Sequence, residues 1–598
     1  MNASQWRSIL PALFLCLLLA GPAFSAQDLS GQKELAEQGK ALLEQSRYRE
    51  AEEFFRRWVD LDTRNPDAHY YLALSQALQG NLDAALVGYK TALELAPRMA
   101  AADFEIGGIY LKRKNYHEAL GWVQKGLRLE PKSDYGLDLA GTLCFLVDSK
   151  IEALRYWNKL DRPHLTGIQI SSTTRLNRQS IADEIDLKPG SLLASAEIEK
   201  AQWRLRQHDY IRSASFLPVP GAQPDQYDLD VRVDSRKGFG TPVEFVANTI
   251  AGIGFGTYRL TYWNVGDSGL TISVPFRLKS TARLARFDIR YPRPAHLRIY
   301  SRASYSWRDE TWRFTGPGAP AGTDYRLRVH EVAAAALVPL KEPKLAMRIE
   351  LAIRRRLLEP PRTAASSTGE LPGAGQRAAS LVAQVNGQST RDMWQQVVWL
   401  RFSPRFTLFD RHSLTGFSFE SHLQAGVDAG GAMGPQAQRL SRLSVSWEGR
   451  LDRMTSSSLQ TTLSLGIHAG QLSRQAALED HFLLGVGPDA QFQLRAHPLF
   501  QHGTMGSTPL AGEFVLGNLT AGQDLHAWKW LRLGTVAFLD AAQMPRIYSG
   551  QALPATALDA GAGIEIGLRG SPATRFTLTF GHDWKDRCNV FYFSSSFR

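Results

Sequence analysis

Cysteine is scarce in this sequence, and the spacing of the cysteines provides no structural framework. There are 3 cysteines among the 598 residues. Cys16 lies in an N-terminal apolar stretch, whereas Cys144 and Cys588 lie far apart, in segments whose patterns predict a helix and a strand. We therefore expect no disulfide, and the spacing fits no metal site.

Long apolar runs are also missing after the N-terminus. No later run reaches about 18 apolar residues, which excludes ordinary transmembrane helices. Residues 1–26 have the features of a secretory signal peptide: Arg7 supplies the positive start, residues 9–20 form an apolar run too short to span a membrane comfortably, and residues 23–25 provide a small-x-small cleavage site. Export without membrane helices leaves a periplasmic protein, a secreted protein or an outer-membrane barrel.

Motifs for catalysis and for cofactor binding are absent from the sequence. It contains no phosphate-binding glycine loop, no His-Glu-x-x-His, no Cys-x-x-Cys and no nucleophile elbow. The 14 histidines are scattered, and the net charge of +11 comes from basic residues spread through alternating segments, as in a polar wall. We expect no enzyme, no cofactor, no metal and no nucleic-acid partner.

A helical repeat occupies residues 27–162. Small residues recur every 34 positions, at Ala51, Ala85, Ala119 and Ala153, and prolines end successive units at Pro97 and Pro131. A small residue lets two antiparallel helices approach closely, and a proline stops a helix. The period resembles that of tetratricopeptide repeats, which offer a concave face to a peptide or protein partner. The alternative is a spacer, or an array that packs on its own chain.

Residues 163–236 predict a small α+β domain. The expected order is strand, helix, helix, strand, strand, with the first helix starting near Asn177, the second over residues 195–207, and the last strands joined by the turn-rich residues 220–225. This order resembles a POTRA domain, the periplasmic module that precedes outer-membrane assembly barrels and captures clients by strand addition. The matching residues are Gly190, Ile198, Ala201, Leu205 and residues 228–231. An unrelated small α+β domain is the alternative.

An alternation with a period of two runs through residues 237–598. In one stretch, Met347 and Ile349 alternate with Arg348 and Glu350, so one wall is apolar and the other polar. A soluble sandwich would give the same alternation, but the bulky apolar wall, the charged wall and the expected export favour lipid outside and water inside. Every backbone group must pair in lipid, so the sheet must close. The length allows a transmembrane antiparallel β-barrel of about 16 strands.

Three segments of this C-terminal part are distinctive. Residues 252–256 are glycine-rich, and glycine weakens local strand pairing. Residues 360–380 are rich in Pro, Ala, Ser and Gly and predict a long mobile extracellular loop. The chain ends with Phe593 and Phe597 on a final strand, followed by Arg598. We interpret the two phenylalanines as a C-terminal strand signal for outer-membrane assembly.

Two short stretches resemble motifs of the outer-membrane assembly and secretion barrels, the BamA, TamA and two-partner-secretion superfamily. They are residues 494–497, Leu-Arg-Ala-His, and residues 538–540, Phe-Leu-Asp. In that superfamily, a hydrophobic-Arg-Gly-aromatic motif on an inward-folded loop contacts acidic groups of the inner wall, one of them in a Phe-x-Asp-x-Gly pattern. The resemblance implies that Arg495 and Asp540 lock such a loop, with Glu513 as a weaker acidic candidate. A planar guanidinium clamps a carboxylate in one orientation, so this pair suits the role.

The sequence departs from the superfamily pattern around the charged pair. Ala496 and His497 stand in place of Gly-aromatic, and Ala542 replaces the glycine of the second motif. On the resemblance alone, the charged pair is expected to act without the residues that usually accompany it.

Together these patterns predict a bacterial outer-membrane barrel that assembles, inserts or translocates client proteins. The repeats and the POTRA-like domain would lie in the periplasm and recruit outer-membrane or secreted clients, with accessory periplasmic proteins as further partners and outer-membrane lipid around the barrel. One alternative is a dedicated two-partner-type transporter for one substrate. Another is a passive pore or structural protein. A surface-lipoprotein exporter also joins such repeats to a barrel, but the POTRA-like segment and Arg495 argue against it.

Overall fold

The computed structural model describes residues 26–172, 178–291, 299–314, 323–359, 395–412, 417–433, 438–454, 459–473, 480–487, 489–498, 500–501, 504–505, 509–529, 531–548, 555–568, 571–585, 587 and 589–597. The expected signal peptide lies outside these residues except for its last position. Asn177, Cys16, Cys588, Arg598 and the expected loop over residues 360–380 also lie outside them.

The chain divides into two compact units. The first runs to Pro163 and includes Leu192–Ser195, and the second contains His164–Ser191 and Ala196–Arg598. No helix among the described residues is long and apolar enough to cross a lipid bilayer.

The first unit is an array of helix pairs. Its helices are α1 (Ala26–Glu44), α2 (Tyr48–Leu61), α3 (Pro66–Leu78), α4 (Leu82–Leu95), α5 (Ala100–Lys112), α6 (Tyr116–Leu129), α7 (Asp134–Leu146) and α8 (Lys150–Trp157). The repeated alanines Ala51, Ala85, Ala119 and Ala153 lie in α2, α4, α6 and α8, and all of them are fully buried. Their small side chains let the second helix of each pair lie close against its neighbours.

Local signals in the sequence start and stop these helices. The Asn65 side chain accepts hydrogen bonds from the backbone N–H groups of Asp67 and Ala68, with Pro66 at the first helical position of α3. The Ser133 side chain accepts one from Gly136 at the start of α7. Such caps satisfy donors that have no partner inside a helix.

A small mixed sheet opens the second unit. Its elements are β1 (His164–Ser172), α9 (Arg178–Ile185), α10 (Ser195–Arg206), β2 (Ile211–Pro220) and β3 (Gln226–Ser235). The strand order is β1-β3-β2, with β1 parallel and β2 antiparallel to the central β3. Ile181, Ile198 and Leu205 from the helices and Leu229 and Val231 from β3 are buried together in the domain's apolar interior.

A helix stands where the sequence analysis predicted only period-two structure. Helix α11 (Pro242–Phe255) begins with a capping box between Thr241 and Glu244 and ends at Gly256, whose φ of 63° is left-handed. The first strand of the large sheet starts only after this glycine. The expectation of a strand-like pattern from residue 237 was therefore wrong over α11, because a strong cap and a proline at the first helical position favour a helix there.

The remaining strands form one large closed sheet. They are β4 (Thr257–Val265), β5 (Leu270–Lys279), β6 (Ala282–Tyr291), β7 (Tyr300–Phe314), β8 (Thr323–Lys341), β9 (Leu345–Glu359), β10 (Gln395–His412), β11 (Phe417–Met433), β12 (Gln438–Met454), β13 (Gln460–Leu472), β14 (Phe482–Leu483), β15 (Phe500–Gln501), β16 (Thr504–Met505), β17 (Leu510–Ala527), β18 (Leu531–Tyr548), β19 (Thr556–Leu568), β20 (Ser571–Asp583) and β21 (Asn589–Phe597).

The long strands pair antiparallel with their sequence neighbours, and β21 lies beside β4 to close the barrel. Strand β13 pairs directly with β17, so the short β14, β15 and β16 lie in the connection between them. The predicted fold class is confirmed: helical repeats, then a small α+β domain, then a closed antiparallel sheet of about 16 strands.

The two walls of this barrel differ in polarity. On β12 and β13 the outward side chains Leu443, Val445, Leu465 and Ile467 are 41–50% exposed. Their neighbours along the strands carry charged and polar groups that face inward. The last strand continues the pattern, since the Phe593 ring stacks on Phe576 with centroids 6.2 Å apart. Phe597 is the last residue of β21, and its backbone pairs with Thr574.

Candidate functional site

A segment between β13 and β17 folds back into the barrel. We call its described residues, 480–487 and 489–498, the inward segment. Isolated bridges join Leu484 to Phe492 and Val486 to Pro498, which folds the segment into a compact double strand. Its apolar residues Phe482, Leu484 and Leu494 are buried in one cluster with inner-wall residues of β17 and β18. The apolar cluster seats the segment against one side of the barrel wall.

Arg495 is the most heavily bonded residue of the inward segment. Its Nε donates to Asp540 Oδ2 at 2.9 Å and its Nη2 to Oδ1 at 2.5 Å, while its backbone N–H donates to Oδ2 at 2.9 Å. The guanidinium also donates to Thr520 and to the Leu519 carbonyl, and it lies 4.1 Å from the centre of the Phe538 ring. This fork-to-fork geometry with a stacked aromatic ring fixes the orientation of the arginine.

The structure brings together two of the three residues predicted for the loop lock. Arg495 and Asp540 form the pair, and both are buried. Among the described contacts of Arg495, none reaches Glu513, which lies near the start of β17 opposite Arg546. Asn518 supports the pair, since its amide donates to Asp540 Oδ1 at 2.7 Å and to the Gln493 carbonyl at 2.8 Å.

His497 makes a second buried contact with wall carboxylates two residues beyond Arg495. Its Nδ1 lies 3.2 Å from Asp559 Oδ2 on β19, and its Nε2 lies 3.6 Å from Asp583 Oδ2 on β20. The backbone N–H of Ala496 donates to the same Asp559 oxygen at 2.6 Å. His497 stands at the aromatic position of the superfamily motif, but it does not act as an apolar ring there, because it bridges two carboxylates of the wall.

His497, Asp559 and Asp583 are also the residues of this site whose chemistry suits a metal ion. Their potential ligand atoms lie within 4.8 Å of one another, and all three residues are buried. An imidazole with two carboxylates can ligate a divalent transition metal. In the present geometry each ring nitrogen faces its own carboxylate, which is the arrangement of a histidine bridge.

A close approach of backbones lets the segment reach the wall at this point. A Cβ added at Gly581 would lie 2.5 Å from the Arg495 carbonyl oxygen. Any side chain at Gly581 would therefore push the Arg495 backbone away from β20.

Two further ion pairs fasten the start and the middle of the inward segment. Asp489 pairs with Arg277 of β5, a fully buried arginine that also donates to Glu310 at 3.1 Å. Asp480 accepts from Arg354 of β9 at 2.5 Å. Buried charges that lack partners are costly, so each of these pairs opposes movement of the segment.

The inward segment is thus held at four points around the barrel interior: β5, β9, β18, and the β19–β20 pair. Polar cavities adjoin it. One of about 460 Å³ is lined by Arg259, Gln493, Arg495 and Tyr592, among others. Another of about 850 Å³ is lined by Arg286, Arg401 and further inner-wall residues. Movement of the segment would change the shape of these polar cavities.

Sequence reasoning missed most of these anchors. The motif resemblance pointed to Arg495 and Asp540, but His497 was noted only as a departure. Asp480 and Asp489 flank the motif, and acidic residues within a predicted inward loop were the available signal. Their partners Arg277 and Arg354 are distant in sequence, and alternation alone does not pair them.

The small α+β domain contacts one end of the barrel. Arg204 of α10 donates to Glu342, in the turn between β8 and β9, at 2.6 Å. Asp209 accepts from Arg290 of β6 at 2.7 Å. Arg204 and Glu342 are buried, so the domain is held by a desolvated ion pair at this end of the barrel.

Comparisons with known proteins support the repeat assignment directly. A family model described as tetratricopeptide repeat matches residues 37–89 and 88–134. No curated protein matches the chain.

Solved structures resemble separate parts of the chain. A crystal structure of BamA from Haemophilus ducreyi lacking POTRA domains 1–3 is 11% identical, with a TM-score of 0.39, over 72% of this chain and 84% of that one. A MamA protein is 22% identical, with a TM-score of 0.20, over 21% of this chain and 70% of that one. A MamA double mutant from RS-1 is likewise 22% identical, with a TM-score of 0.21, over 22% of this chain and 75% of that one. The family model, and not these structural likenesses, identifies residues 37–134 as tetratricopeptide repeats.

Proposed function

We propose that this chain is a bacterial outer-membrane barrel that assembles, inserts or exports other proteins. In this proposal the tetratricopeptide repeats and the small POTRA-like domain lie in the periplasm and recruit the clients. The barrel acts without enzymatic chemistry. The single observation that carries the proposal is the inward segment, fastened inside a closed barrel by buried Arg495 and Asp540.

The outer wall supports a membrane location. Exposed Leu, Ile, Val and Phe side chains recur along the strands on the outward face, and extended exposed apolar surface marks a membrane or protein contact. A closed sheet leaves no unpaired backbone edge in lipid. Lipid would cover this wall, and the charged inner wall would face water.

The inward segment supports a conduit that is regulated and not a passive pore. A passive pore needs only an open lumen, whereas this lumen holds a segment with paired charges at four points. Buried ion pairs contribute little net stability compared with apolar packing but specify one arrangement strongly. We infer that the segment holds the barrel in a defined state that client passage or insertion changes.

The test is to identify what the full-length chain contacts in cells. Clients would be captured by in vivo cross-linking to the full chain, followed by mass spectrometry, with the same chain carrying Arg495→Ala as comparison. Many unfolded barrel precursors would support general assembly. One abundant exported protein would support dedicated secretion, as in two-partner systems. Capture of no client, together with steady single-channel conductance from the purified chain, would contradict the proposal and favour a passive pore.

A further inference from the structure

An unpaired carboxylate lies among tyrosines in the repeat array. Glu105 on α5 is half-buried, and among the described residues none forms a hydrogen bond or an ion pair with its carboxylate. The nearest basic group that influences it is Lys112, two turns further along the same helix. Burial raises the pKa of Glu105, since the charged form loses hydration that no protein donor replaces.

Three tyrosines, each from a different helix, pack against α5 beside Glu105. Tyr89 of α4 is buried in one apolar cluster with Ile106 and Ile109 of α5, Tyr70 of α3 packs against the same cluster, and the Tyr135 hydroxyl of α7 lies beside Gly108. The rings of Tyr70 and Tyr89 lie 5.5 Å apart between centroids. Tyr89 is fully buried, and its hydroxyl has no hydrogen-bond partner among the described residues. The group therefore has both an acceptor without a donor and a hydroxyl without a partner.

The group is open to a ligand on the side of Tyr135 and Gly108. Tyr135 is 52% exposed, so its ring is accessible from solvent. Gly108 lies one turn beyond Glu105, and a Cβ placed there would lie 3.6 Å from the Tyr135 hydroxyl oxygen. The missing side chain at Gly108 leaves space beside the carboxylate, bounded by α3, α5 and α7.

The hydroxyls of this group remain neutral at physiological pH. Burial and the nearby Glu105 carboxylate raise the pKa of Tyr135 to about 12 and raise the pKa of Tyr70 and Tyr89 as well. Any negative charge of the group therefore lies on Glu105, and a bound cation favours that charged form. Aromatic faces and a carboxylate together attract a cation.

We propose that this groove, formed by Tyr70, Glu105, Gly108 and Tyr135 over the buried Tyr89, binds a lysine or arginine side chain on an extended segment of a protein partner. The cation supplies the donors that the Glu105 carboxylate lacks, and the tyrosine rings pack against its alkyl stem and charged head. The inference deepens the proposed function, on which it rests for the identity of the ligand as a client protein. The groove gives the repeats a preference for positively charged partner segments. The nearly equal numbers of acidic and basic residues in the repeats do not show this preference.

The experiment selects peptides on the full-length protein. Random linear peptides displayed on phage are selected against the detergent-solubilised wild type and against Glu105→Gln. Glu94→Gln is the matched control, because Glu94 is an exposed glutamate on α4 outside the groove. We expect the wild type and the control to enrich peptides with Lys or Arg at one fixed position, and Glu105→Gln to lose that preference. Enrichment without a basic position, or an unchanged basic preference on Glu105→Gln, would overturn the proposal.

Affinities of the best selected peptide give a second, independent readout. Changing its basic residue to Gln, or Glu105 to Gln, should each weaken binding by about tenfold, and the two changes together should weaken it little further, because both remove the same charge pair. Gly108→Leu should also abolish binding, since the larger side chain fills the groove. It should not lower the thermal midpoint of the helical signal, because leucine favours a helix more than glycine does. Additive losses, or full binding by Gly108→Leu, would contradict the groove.

The result separates the groove from the proposed function. If the selection fails while cross-linking still captures clients, the groove is wrong and the proposed function stands. If the groove selects basic peptides while cells yield no client, the proposed function fails and the groove remains a peptide site of unassigned role.

Discussion

At the scale of single residues, the Arg495–Asp540 pair is the contact whose loss should matter most. Both groups are buried, and the pair carries bonds from a guanidinium, a backbone N–H and the Asn518 amide. Arg495→Ala leaves a buried carboxylate without its cation, which costs about 3–5 kcal/mol. We expect a clearly lower temperature for the loss of the folded band in heat-modifiability gels.

Arg405→Ala is the control for this change. Arg405 is an exposed arginine of β10, and its removal leaves no buried carboxylate unpaired. It should leave the transition temperature unchanged. Equal transitions for Arg495→Ala and wild type would contradict the structural importance of the pair.

A second prediction at this scale concerns pH and lies in the repeat array. Burial raises the pKa of Asp103 above its usual value, and the hydrogen bond from Lys125, at 2.8 Å, opposes this. A carboxyl with a raised pKa in the folded state contributes most stability below its unfolded pKa, and that contribution is lost as pH rises through the folded pKa. Asp103→Asn should therefore unfold at the same or a higher temperature than wild type at pH 7, and its advantage should disappear near pH 4.

Helical circular dichroism of the full-length protein at several pH values provides the measurement for Asp103. A variant that is much less stable than wild type at pH 7 would show that the charged pair with Lys125 stabilises the array, against the expectation. Glu94→Gln is the control for Asp103→Asn as well. Because Glu94 is exposed, its substitution should change neither the midpoint temperature of unfolding nor the pH dependence of that midpoint.

At the scale of elements, the inward segment should behave as one body held at several points. Asp489 pairs with Arg277 of β5, an anchor separate from the Arg495–Asp540 pair. Asp489→Asn keeps the shape of the side chain but removes its charge, so Arg277 loses this charged partner and keeps its bonds to Glu310 and Thr257. We expect hydrogen exchange to become faster in residues 480–498 and to stay unchanged in β18.

The matched control for Asp489→Asn is Asp452→Asn. Asp452 lies on β12 and accepts from Arg450 at 2.8 Å, without a described contact to the inward segment. It should leave exchange in residues 480–498 at the wild-type rate. If Asp489→Asn also leaves that rate unchanged, the segment does not depend on its β5 anchor.

The element that sequence reasoning placed least well is α11, and the physical reason is local. A period-two pattern was expected from residue 237, with weak strand pairing at the glycine-rich residues 252–256, whereas the Thr241–Glu244 capping box and Pro242 start a helix. By contrast, the helices and strands with a regular spacing of apolar residues were predicted. A spacing of 3.6 or 2 residues can be read from consecutive positions in the sequence. The ion pairs that anchor the inward segment were not predicted. Arg277 and Asp489, for example, are 212 positions apart, and only the strand register of the barrel brings them together.

At the scale of the whole molecule, the outer wall of the barrel should tolerate charge poorly. Val445 lies near the middle of β12 on the outward face and is 50% exposed, whereas its neighbour Ser446 faces inward, opposite Gln424 and His468. In the proposed membrane location, Val445→Arg places a charge against lipid at a cost of about 2–4 kcal/mol. We expect less folded barrel in the membrane fraction for Val445→Arg than for Ser446→Arg. Equal levels would contradict a lipid-facing wall.

The central claim is that client proteins pass through or assemble on this barrel and that the locked inward segment is part of that process. The most direct measurement is the quantitative proteome of the outer membrane and the medium in cells whose own copy is replaced by wild type, Arg495→Ala or Arg405→Ala at matched levels. We predict that one or more exported or outer-membrane proteins decline with Arg495→Ala and are normal with Arg405→Ala. Identical proteomes for all three, with each barrel folded in the membrane, would contradict the account.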